Sequence, residues 1–592
     1  MHGSIKRVSQ LIDSKLANAI DVDKENCSAL HWAAIVSLCN PRTACFLRLH
    51  SLKNNRITVA KYLLDNGAEI DLMGGDLLSS PLQWAARSGQ IQMATYLMKR
   101  GANPNLFDKQ GYNTLHLAAH AGHAMMIVYL ISMGMDVDIL DTMGRTSLMW
   151  AAYQGNSEET MRCLLKQGAV LDRVDSTGMT ALHWAIVSNH LKFAKILLDE
   201  GAQPDVKDPQ GKTPGDWAKE RGTYPTYEQF LRHSKAQQVK APFSPMVRNR
   251  IIYCIPFLEI PVVLWVMDML PWFVALPVVM ITLGLVSVYF TVKFLLQGGN
   301  GGNKLIQTPF STSIPQATVF YCGVAWFAIV PTGHLYLRHA LFLVFYIGTV
   351  YFFYQTNTSD PGFLRKASAA EGENKQTILQ LAEDGILSSR TYCTTCCIQK
   401  PLRSKHCKFC DRCVARFDHH CPWTMNCVGA KNHRPFMIFV FMMPVAGWLF
   451  ISIAYEYFKV TVPVNQPVSP TCFLPYEACA NFAANTPLMV FCLWLFCNSL
   501  WIIFLLFTQS YQIALQLTTN EMVNWHRFSY LVHPEDRDLP PYRKRKLNAF
   551  DKGVLGNCGE FWGIHGDVEG KGVDWATVYS VEPKGYVKGM DV

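Results

Sequence analysis

Long apolar runs in the second half of this 592-residue chain constrain its fold most strongly. A helix crosses a hydrocarbon core of about 30 Å with roughly 20 apolar residues. Six segments approach that length, at about 251–270, 272–296, 317–336, 339–356, 436–458 and 487–510. Residues 1–240 have an ordinary soluble composition instead. The sequence therefore predicts a mainly α-helical protein in which a soluble head precedes six transmembrane helices.

The distribution of charge predicts the orientation of these helices. Residues 357–434 and the C-terminal tail are rich in Lys and Arg, whereas residues 460–486 contain neither. Because cytosolic loops carry the excess of positive charge, we expect both termini and the 357–434 loop in the cytosol. The absence of a signal-peptide pattern in residues 1–15 agrees. Nineteen cysteines in that reducing setting favour thiols and metal ligands over disulfides.

A net charge of +9 without basic tracts interleaved with aromatic residues favours attraction to membrane lipid over binding of nucleic acid.

The soluble head repeats one phrase, as in SPLQWAA, NTLHLAA, TSLMWAA and TALHWAI. Its leucines Leu82, Leu115, Leu148 and Leu182 follow one another at 33, 33 and 34 residues, which is the ankyrin period of a turn and two short helices. We therefore predict an ankyrin solenoid over residues 1–232. Such an array needs stacked neighbours for its own stability, so the repeats alone do not distinguish a plain scaffold from a binding groove.

One interval breaks this period, because Leu30 and Leu82 lie 52 residues apart. The surplus of 18 residues is 36–53, which is either a loop that bulges from the array or a retained intron in the gene model. We favour the second reading, which peptide mapping of the native protein would test.

Between the fourth and fifth apolar segments, residues 392–436 contain twelve cysteines and histidines. The C-x2-C pairs 393/396, 407/410 and 410/413 suit tetrahedral zinc, and two zinc ions need eight ligands. Some of the twelve side chains would therefore not bind zinc and could have another role. Ankyrin repeats before six spans also describe a cation channel, but this long cysteine-rich linker and the missing selectivity-filter segment argue against that class.

The run C-x2-C-x9-H-C-x2-C-x2-C-x4-D-H-H-C-x5-C resembles the cysteine-rich domain of the DHHC protein S-acyltransferases, or palmitoyltransferases. Together with ankyrin repeats and six spans, it resembles the huntingtin-interacting-protein-14 subgroup over nearly the whole chain. The resemblance implies two structural Zn²⁺ sites of three cysteines and one histidine. The first would contain Cys393, Cys396, His406 and Cys413, and the second Cys407, Cys410, His420 and Cys427.

The resemblance leaves Asp418, His419 and Cys421 outside both zinc sites. A cysteine at its ordinary pKa of about 8.5 is mostly protonated at neutral pH, so an imidazole must take its proton. His419 suits that role, and Asp418 can orient the imidazole. On spacing alone, Cys421 could also be a spare thiol or a further metal ligand. Cys397 could replace Cys396 in a shifted register, although we expect it to be a bystander.

Two shorter motifs resemble elements of the same family that support the active site. They supply Asp360 after the fourth span, and Thr518, Thr519 and Glu521 after the sixth. From the residues alone, the first could be a simple turn and the second a capped helix start. The family's C-terminal aromatic motif aligns only loosely, with residues 557–562.

The resemblance implies transfer of palmitate from palmitoyl-CoA to protein cysteines, with acyl-CoA as co-substrate, in the Golgi or related endomembranes. CoA phosphates need cations, and five are available near the predicted cytosolic interface: Lys400, Arg403, Lys405, Lys431 and Arg434. The ankyrin repeats would recruit protein substrates through short Pro-containing motifs, with Trp84 and Asn54 as contacts. A zinc-bearing membrane scaffold without catalytic activity is the main alternative.

These features predict the domain order. It runs 1–232 ankyrin repeats, 233–250 basic linker, 251–356 spans one to four, 357–434 cysteine-rich zinc domain, 435–511 spans five and six, and 512–592 cytosolic tail.

Overall fold

The structure is a computed structural model that describes most of the chain. The described residues are 5–15, 17–23, 26–34, 49–238, 244–270, 272–281, 308–330, 336–366, 372–463, 465–468, 475–536 and 539–564. They divide into two compact units. The first contains the described parts of 1–239 and 365–400, and the second those of 240–364 and 401–586.

The first unit is a stack of short antiparallel helix pairs. Its helices are α1 (Ile5–Asp13), α2 (Ala29–Ala34), α3 (Leu49–Asp65), α4 (Pro81–Arg87), α5 (Ile91–Lys99), α6 (Thr114–Ala121), α7 (Ala124–Ser132), α8 (Ser147–Gln154), α9 (Glu158–Lys166), α10 (Ala181–Val187), α11 (Leu191–Asp199), α12 (Pro214–Glu220) and α13 (Tyr224–Gln238). The recurrent leucines Leu82, Leu115, Leu148 and Leu182 are fully buried between neighbouring repeats. The predicted ankyrin array is therefore present.

Polar residues before the recurrent leucines explain where the first helix of each repeat begins. The side chains of Ser80, Asn113, Thr146 and Thr180 accept a hydrogen bond from the backbone N–H three residues later. His116 and His183 return a ring-nitrogen contact to the capping residue, which closes a capping box. The threonine and histidine of the repeat phrase are thus helix-starting residues.

Recurrent tryptophans tie each first helix to the turn that precedes it. The indole N–H donates to an aspartate nine residues earlier in four repeats: Trp32 to Asp23, Trp150 to Asp141, Trp184 to Asp175 and Trp217 to Asp208, at 2.7–3.0 Å. Nine residues before Trp84 stands Gly75 instead. Trp84 is therefore the exception among the repeat tryptophans.

The first unit also includes residues that follow the fourth predicted span. Helix α18 (Gly372–Glu383) packs against α5 and α7, and a hairpin of β1 (Tyr392–Cys393) and β2 (Ile398–Gln399) follows it. Ile378, Leu381 and Tyr392 are buried in the ankyrin core. Gln92 Nε2 donates to the carbonyl of Gly385 at 2.9 Å. Residues 365–400, which we expected in the 357–434 domain, thus group with the array.

Most of the proposed insertion lies outside the described residues. Residues 36–48 are not described, and 49–53 begin helix α3.

The second unit contains long apolar helices and short hairpins. Its helices are α14 (Pro245–Met269), α15 (Trp272–Ile281), α16 (Phe310–Ile329), α17 (Tyr336–Thr358), α19 (His433–Thr461), α20 (Tyr476–Ala484), α21 (Thr486–Ala514), α22 (Thr519–Asn524) and α23 (Val554–Trp562). Its strands are β3 (Lys405–Cys407), β4 (Arg412–Val414), β5 (His419–Cys421) and β6 (Asn426–Val428).

Four helices in the described part of the chain are long and apolar enough to cross a membrane: Met246–Met269, Tyr336–Thr358, His433–Thr461 and Thr486–Ala514. They overlap the first, fourth, fifth and sixth predicted spans. The second predicted span, 272–296, is described only to residue 281, and the third, 317–336, lacks 331–335. Helix α19 packs between α17 and α21, so these three helices form the centre of the unit.

Candidate active site

The DHHC motif lies in an antiparallel hairpin, and the register of this hairpin separates its residues. His420 of β5 faces Cys427 of β6, with His419 opposite Val428 and Cys421 opposite Asn426. Because successive side chains of a strand point to opposite faces, His420 lies on one face, and His419 and Cys421 lie on the other. Adjacent histidines therefore meet different partners.

Cys407, Cys410, His420 and Cys427 form a cluster that could hold a metal ion. Their ligand atoms all lie within 4.8 Å of one another. Cys410 Sγ is 3.4 Å from His420 Nδ1 and 3.5 Å from Cys427 Sγ. Tetrahedral zinc with bonds near 2.3 Å to sulfur separates its ligands by roughly 3.5–3.8 Å. The donor set and its spacing therefore fit zinc.

The other predicted ligand set is divided between the two units. Cys393 and Cys396 belong to the first unit, where the backbone N–H of Cys396 donates to Cys393 Sγ at 3.4 Å. His406 and Cys413 face each other across β3 and β4 in the second unit, with His406 Nδ1 3.9 Å from Cys413 Sγ. Cys397 has a left-handed backbone, φ 54°, and its thiol lies near the carbonyl of Thr394.

Asp418, His419 and Cys421 lie close together. Asp418 Oδ2 accepts from His419 Nδ1 at 2.6 Å, and Cys421 is near enough to His419 for the imidazole to lower the pKa of its thiol. Since Nδ1 is held by Asp418, Nε2 is the ring nitrogen left for the thiol. Asp418 is 1% exposed and Cys421 5% exposed. This arrangement can move a proton from the thiol to the imidazole.

The pKa values of these groups favour that proton transfer. Burial alone raises the pKa of Cys421, but the hydrogen bond and charge of His419 lower it overall. Burial alone lowers the pKa of His419, but its bonds to Asp418 and Cys421 raise the pKa to about 10. Burial opposes ionisation of Asp418 too, yet His419 and the Thr519 N–H hold its pKa below the usual range. An imidazolium paired with a thiolate is thus stabilised.

The motif after the sixth span contacts the aspartate directly. The backbone N–H of Thr519 donates to Asp418 Oδ1 at 2.6 Å, and its hydroxyl lies 2.8 Å from Asp418 Oδ2. Thr518 caps helix α22, and its side chain accepts from the N–H of Glu521. The motif therefore forms a capped helix start, and this helix start also places Thr519 in contact with Asp418.

Glu521 pairs with a residue that we had considered for the CoA phosphates. Arg403 Nε and Nη2 donate to the two carboxylate oxygens of Glu521 at 2.8 and 2.7 Å, and both side chains are at most 2% exposed. Such a buried bidentate pair leaves Arg403 inaccessible to a phosphate. Lys431 is also engaged, because its ammonium lies 3.0 Å from Asp360 Oδ2.

Asp360 forms a turn that connects the end of α17 to the hairpin of β3 and β4. Its Oδ1 accepts from the N–H groups of Gly362 and Phe363 at 2.9 and 2.7 Å. The carbonyl of Gly362 accepts from Ala415 N–H. Asn426 also reaches this turn, donating to the carbonyl of Ser359 at 2.9 Å.

An apolar cluster adjoins the cysteine of the site. Cys421 is buried among residues of α17, α19, α21 and α23: Phe353, Phe436, Met437, Val440, Ile513 and Phe561. Phe561 comes from the loosely aligned tail motif, and Asn557 of the same helix donates to the carbonyl of Ala514 at 2.8 Å. The tail helix therefore packs on the site, which the sequence left open.

A cavity lies among the spans. It is bounded by residues of α16, α17, α19 and α21, including Cys322, Tyr346, Gly447 and Ser499.

Two predicted substrate contacts lie in the first unit. Trp84 is half-buried, and its indole nitrogen has no hydrogen-bond partner within the described residues. Gly75 approaches the indole so closely that a Cβ there would lie 3.0 Å from Trp84 Cζ2. Asn54 belongs to helix α3, but its side chain lies outside the described residues.

Fold and site together define a membrane protein with ankyrin repeats and a metal-binding cysteine-rich domain that contains an Asp-His-Cys constellation. Residues 386–526 match the family model described as DHHC palmitoyltransferase, and residues 47–141 and 115–208 match ankyrin repeats.

The chain is similar over 98% of its length to Palmitoyltransferase ZDHHC17 of Danio rerio, at 33% identity and covering 89% of that protein. It is 31% identical to Palmitoyltransferase ZDHHC13 of Homo sapiens with the same two coverages. Over 45% of its length it is 38% identical to Palmitoyltransferase AKR1 of Mortierella alpina, of which 47% is covered. The chain belongs to the DHHC palmitoyltransferase family, and it is a protein S-acyltransferase.

Proposed function

We propose that the protein transfers palmitate from palmitoyl-CoA to cysteines of protein substrates through an acyl-enzyme on Cys421. The observation that carries this proposal is the buried contact of Asp418, His419 and Cys421 beside an apolar cluster of the spans. Burial opposes ionisation of Cys421, but His419 lowers the pKa of its thiol overall and so favours the thiolate, which is the nucleophilic form.

The reaction proceeds in two acyl transfers. The Cys421 thiolate attacks the carbonyl carbon of palmitoyl-CoA, the bond from carbon to CoA sulfur breaks, and the CoA thiolate takes the proton of the His419 imidazolium. A substrate cysteine then gives its proton to His419 and attacks the acyl-enzyme, and Cys421 leaves as a thiolate. Asp418 holds the imidazole in the required tautomer throughout.

Two Zn²⁺ ions would have a structural role in this scheme. Cys407, Cys410, His420 and Cys427 would hold one, and Cys393, Cys396, His406 and Cys413 the other. Each ion, when bound, would stabilise hairpins that are too short to be stable alone. Four residues would support the site, because each contacts or anchors an element that carries a site residue. They are Thr518, Thr519, Glu521 and Asp360.

The acyl chain would lie among the spans. The mostly apolar lining of the cavity bounded by α16, α17, α19 and α21 supports this location. Six spans with a cytosolic loop, cytosolic termini and a Golgi or related endomembrane location complete this proposal.

The ankyrin array would recruit protein substrates and raise their effective concentration at the membrane. Trp84 supports a contact there, because it is half-buried and, unlike the other repeat tryptophans, its indole N–H has no acceptor among the described residues. Short Pro-containing segments are suited to this role, because they are extended and offer free carbonyl groups.

Covalent labelling tests the proposed reaction. Purified wild type and Cys421→Ser are incubated with alkyne-tagged palmitoyl-CoA, and label that hydroxylamine releases is measured together with zinc content. We expect label on the wild type only, with equal zinc in both proteins. Absence of label from a folded, zinc-loaded wild type would favour a scaffold without catalytic activity.

A further inference from the structure

Two buried residues that were assigned no catalytic role from the sequence lie near the aspartate of the site. Gln509 is near the end of α21, and His433 is the first residue of α19. Each is 2% exposed. His433 was one of the twelve possible metal ligands, but it is not part of the metal-binding cluster in the second unit. Neither residue has a role in the reaction as described so far.

Gln509 is one of three side chains that hold the Asp418 carboxylate. Asp418 Oδ2 accepts from His419 Nδ1 at 2.6 Å, contacts the Thr519 hydroxyl at 2.8 Å and accepts from Gln509 Nε2 at 3.3 Å. The same amide nitrogen donates to Thr519 Oγ1 at 2.9 Å. A carboxylate that is held on several sides cannot rotate away from the imidazole that it orients.

The direction of the Gln509 amide is set by His433. Rotating the amide by half a turn keeps its shape, but it would point the carbonyl oxygen at the Asp418 carboxylate. His433 Nε2 lies 3.0 Å from Gln509 Oε1. An amide oxygen only accepts, so Nε2 must carry the proton. The half-turn would leave this donor facing the amide NH2 group, and His433 therefore opposes it.

The other nitrogen of His433 favours the same tautomer. Among the described residues, His433 Nδ1 is buried without a hydrogen-bond partner. If Nδ1 carried the proton instead, its N–H would be unsatisfied, and the lone pair of Nε2 would point at Gln509 Oε1. Phe561 of the tail helix packs edge-on to the ring at 5.1 Å between centroids and holds it in place.

We propose that His433 and Gln509 are positioning residues for the acyl transfer. His433 orients the Gln509 amide, and the amide NH2 group holds Asp418 in the conformer that pairs with His419. The spans thereby control the geometry of the nucleophile without touching the acyl group. This inference rests on the proposed function, because it assumes that acyl-enzyme formation needs the pairing of Asp418 and His419.

Three variants of the full chain test this inference. Gln509→Met keeps the length of the side chain without its amide, His433→Phe keeps a ring without a donor, and the third combines both changes. Ser510→Ala, at an exposed position of the same helix, is the matched control. The rate of acyl-enzyme formation is measured in a single turnover at several palmitoyl-CoA concentrations, together with zinc content.

We expect each single variant to lower the maximal rate about 10- to 100-fold, the range for a lost hydrogen bond to a charged group. The palmitoyl-CoA concentration at half-maximal rate and the zinc content should not change. Because His433 acts through Gln509, the double variant should be no slower than Gln509→Met. His433→Gln, whose amide nitrogen can replace the Nε2 donor, should recover most of the rate and serves if His433→Phe does not fold.

Multiplying losses in the double variant would overturn the inference, as would a normal rate in zinc-loaded Gln509→Met. A wild type that forms no acyl-enzyme would overturn the proposed function, and this inference with it. The two failures are distinguishable, because failure of this inference alone requires a wild type that does form the acyl-enzyme.

Discussion

At the scale of single residues, the site depends on the alternation of a three-residue strand. The extended backbone of β5 sends His420 to the metal-binding face, and His419 and Cys421 to the catalytic face. Without this alternation, two adjacent histidines would compete for the same metal ion. The order His-His-Cys therefore serves both faces of one short strand.

Thr519 should contribute to catalysis through its hydroxyl. Thr519→Val removes the contact of Oγ1 with Asp418 but keeps the backbone N–H bond. Loss of a hydrogen bond to a buried charge costs about 1.5–3 kcal/mol, so we expect acyl-enzyme formation to slow roughly 10- to 100-fold. Single-turnover labelling measures this rate. Thr519→Ser, which keeps the hydroxyl, should be close to wild type, and equal rates for Val and Ser would contradict the prediction.

Residue types and spacing indicated metal chemistry, and the family resemblance supplied the expected ligands and nucleophile, but neither marked every supporting residue. Cysteines and histidines in a dense run indicate metal chemistry by type alone. Gln509 and Asn426 gave no such signal, because amides occur in every kind of environment and their roles here depend on contacts 91 and 67 residues away along the chain. Arg403 was considered for phosphate binding because cations near a membrane are usually exposed, but its side chain is buried.

At the scale of elements, the ankyrin helices could be predicted from the repeat phrase, because each recurring residue has a local physical role. Thr or Ser caps the helix, Leu fills the core, and Trp reaches back to Asp. Helix α18 could not be assigned to the array in this way. It lies more than 130 residues beyond the last repeat, and its apolar residues fit any amphipathic helix.

The repeat tryptophans should separate into structural and binding residues. Trp150→Phe removes the donor to Asp141, which is 5% exposed. An unsatisfied buried carboxylate oxygen costs about 1–3 kcal/mol, so we expect faster amide hydrogen exchange in α6, α8 and α10 of the full chain. Trp84→Phe loses no hydrogen bond within the described residues and should leave exchange in α4 and α6 nearly unchanged.

Trp84→Phe and Trp150→Phe should also differ in peptide binding, with the larger effect now expected for Trp84→Phe. Retention on immobilised Pro-containing peptides should fall for Trp84→Phe and persist for Trp150→Phe. Equal exchange in both variants, or equal retention, would contradict this division.

At the scale of the whole molecule, the chain forms two units that are discontinuous in sequence. Residues 365–400 return to the ankyrin unit after the fourth predicted span, and residues 401 onward resume the second unit. Composition and periodicity indicated ankyrin repeats before apolar helices. They could not indicate this return of residues 365–400, because the burial of Tyr392 in the ankyrin core is a tertiary contact that no local pattern encodes.

We propose that palmitate passes through Cys421 on its way to a substrate cysteine. The direct measurement is a chase: zinc-loaded enzyme is acylated with labelled palmitoyl-CoA, freed of acyl-CoA, and mixed with a cysteine-containing acceptor peptide. We predict that hydroxylamine-labile label leaves the Cys421 peptide and reaches the acceptor at least as fast as steady-state turnover. Label that stays on Cys421 while turnover proceeds from acyl-CoA would contradict the account.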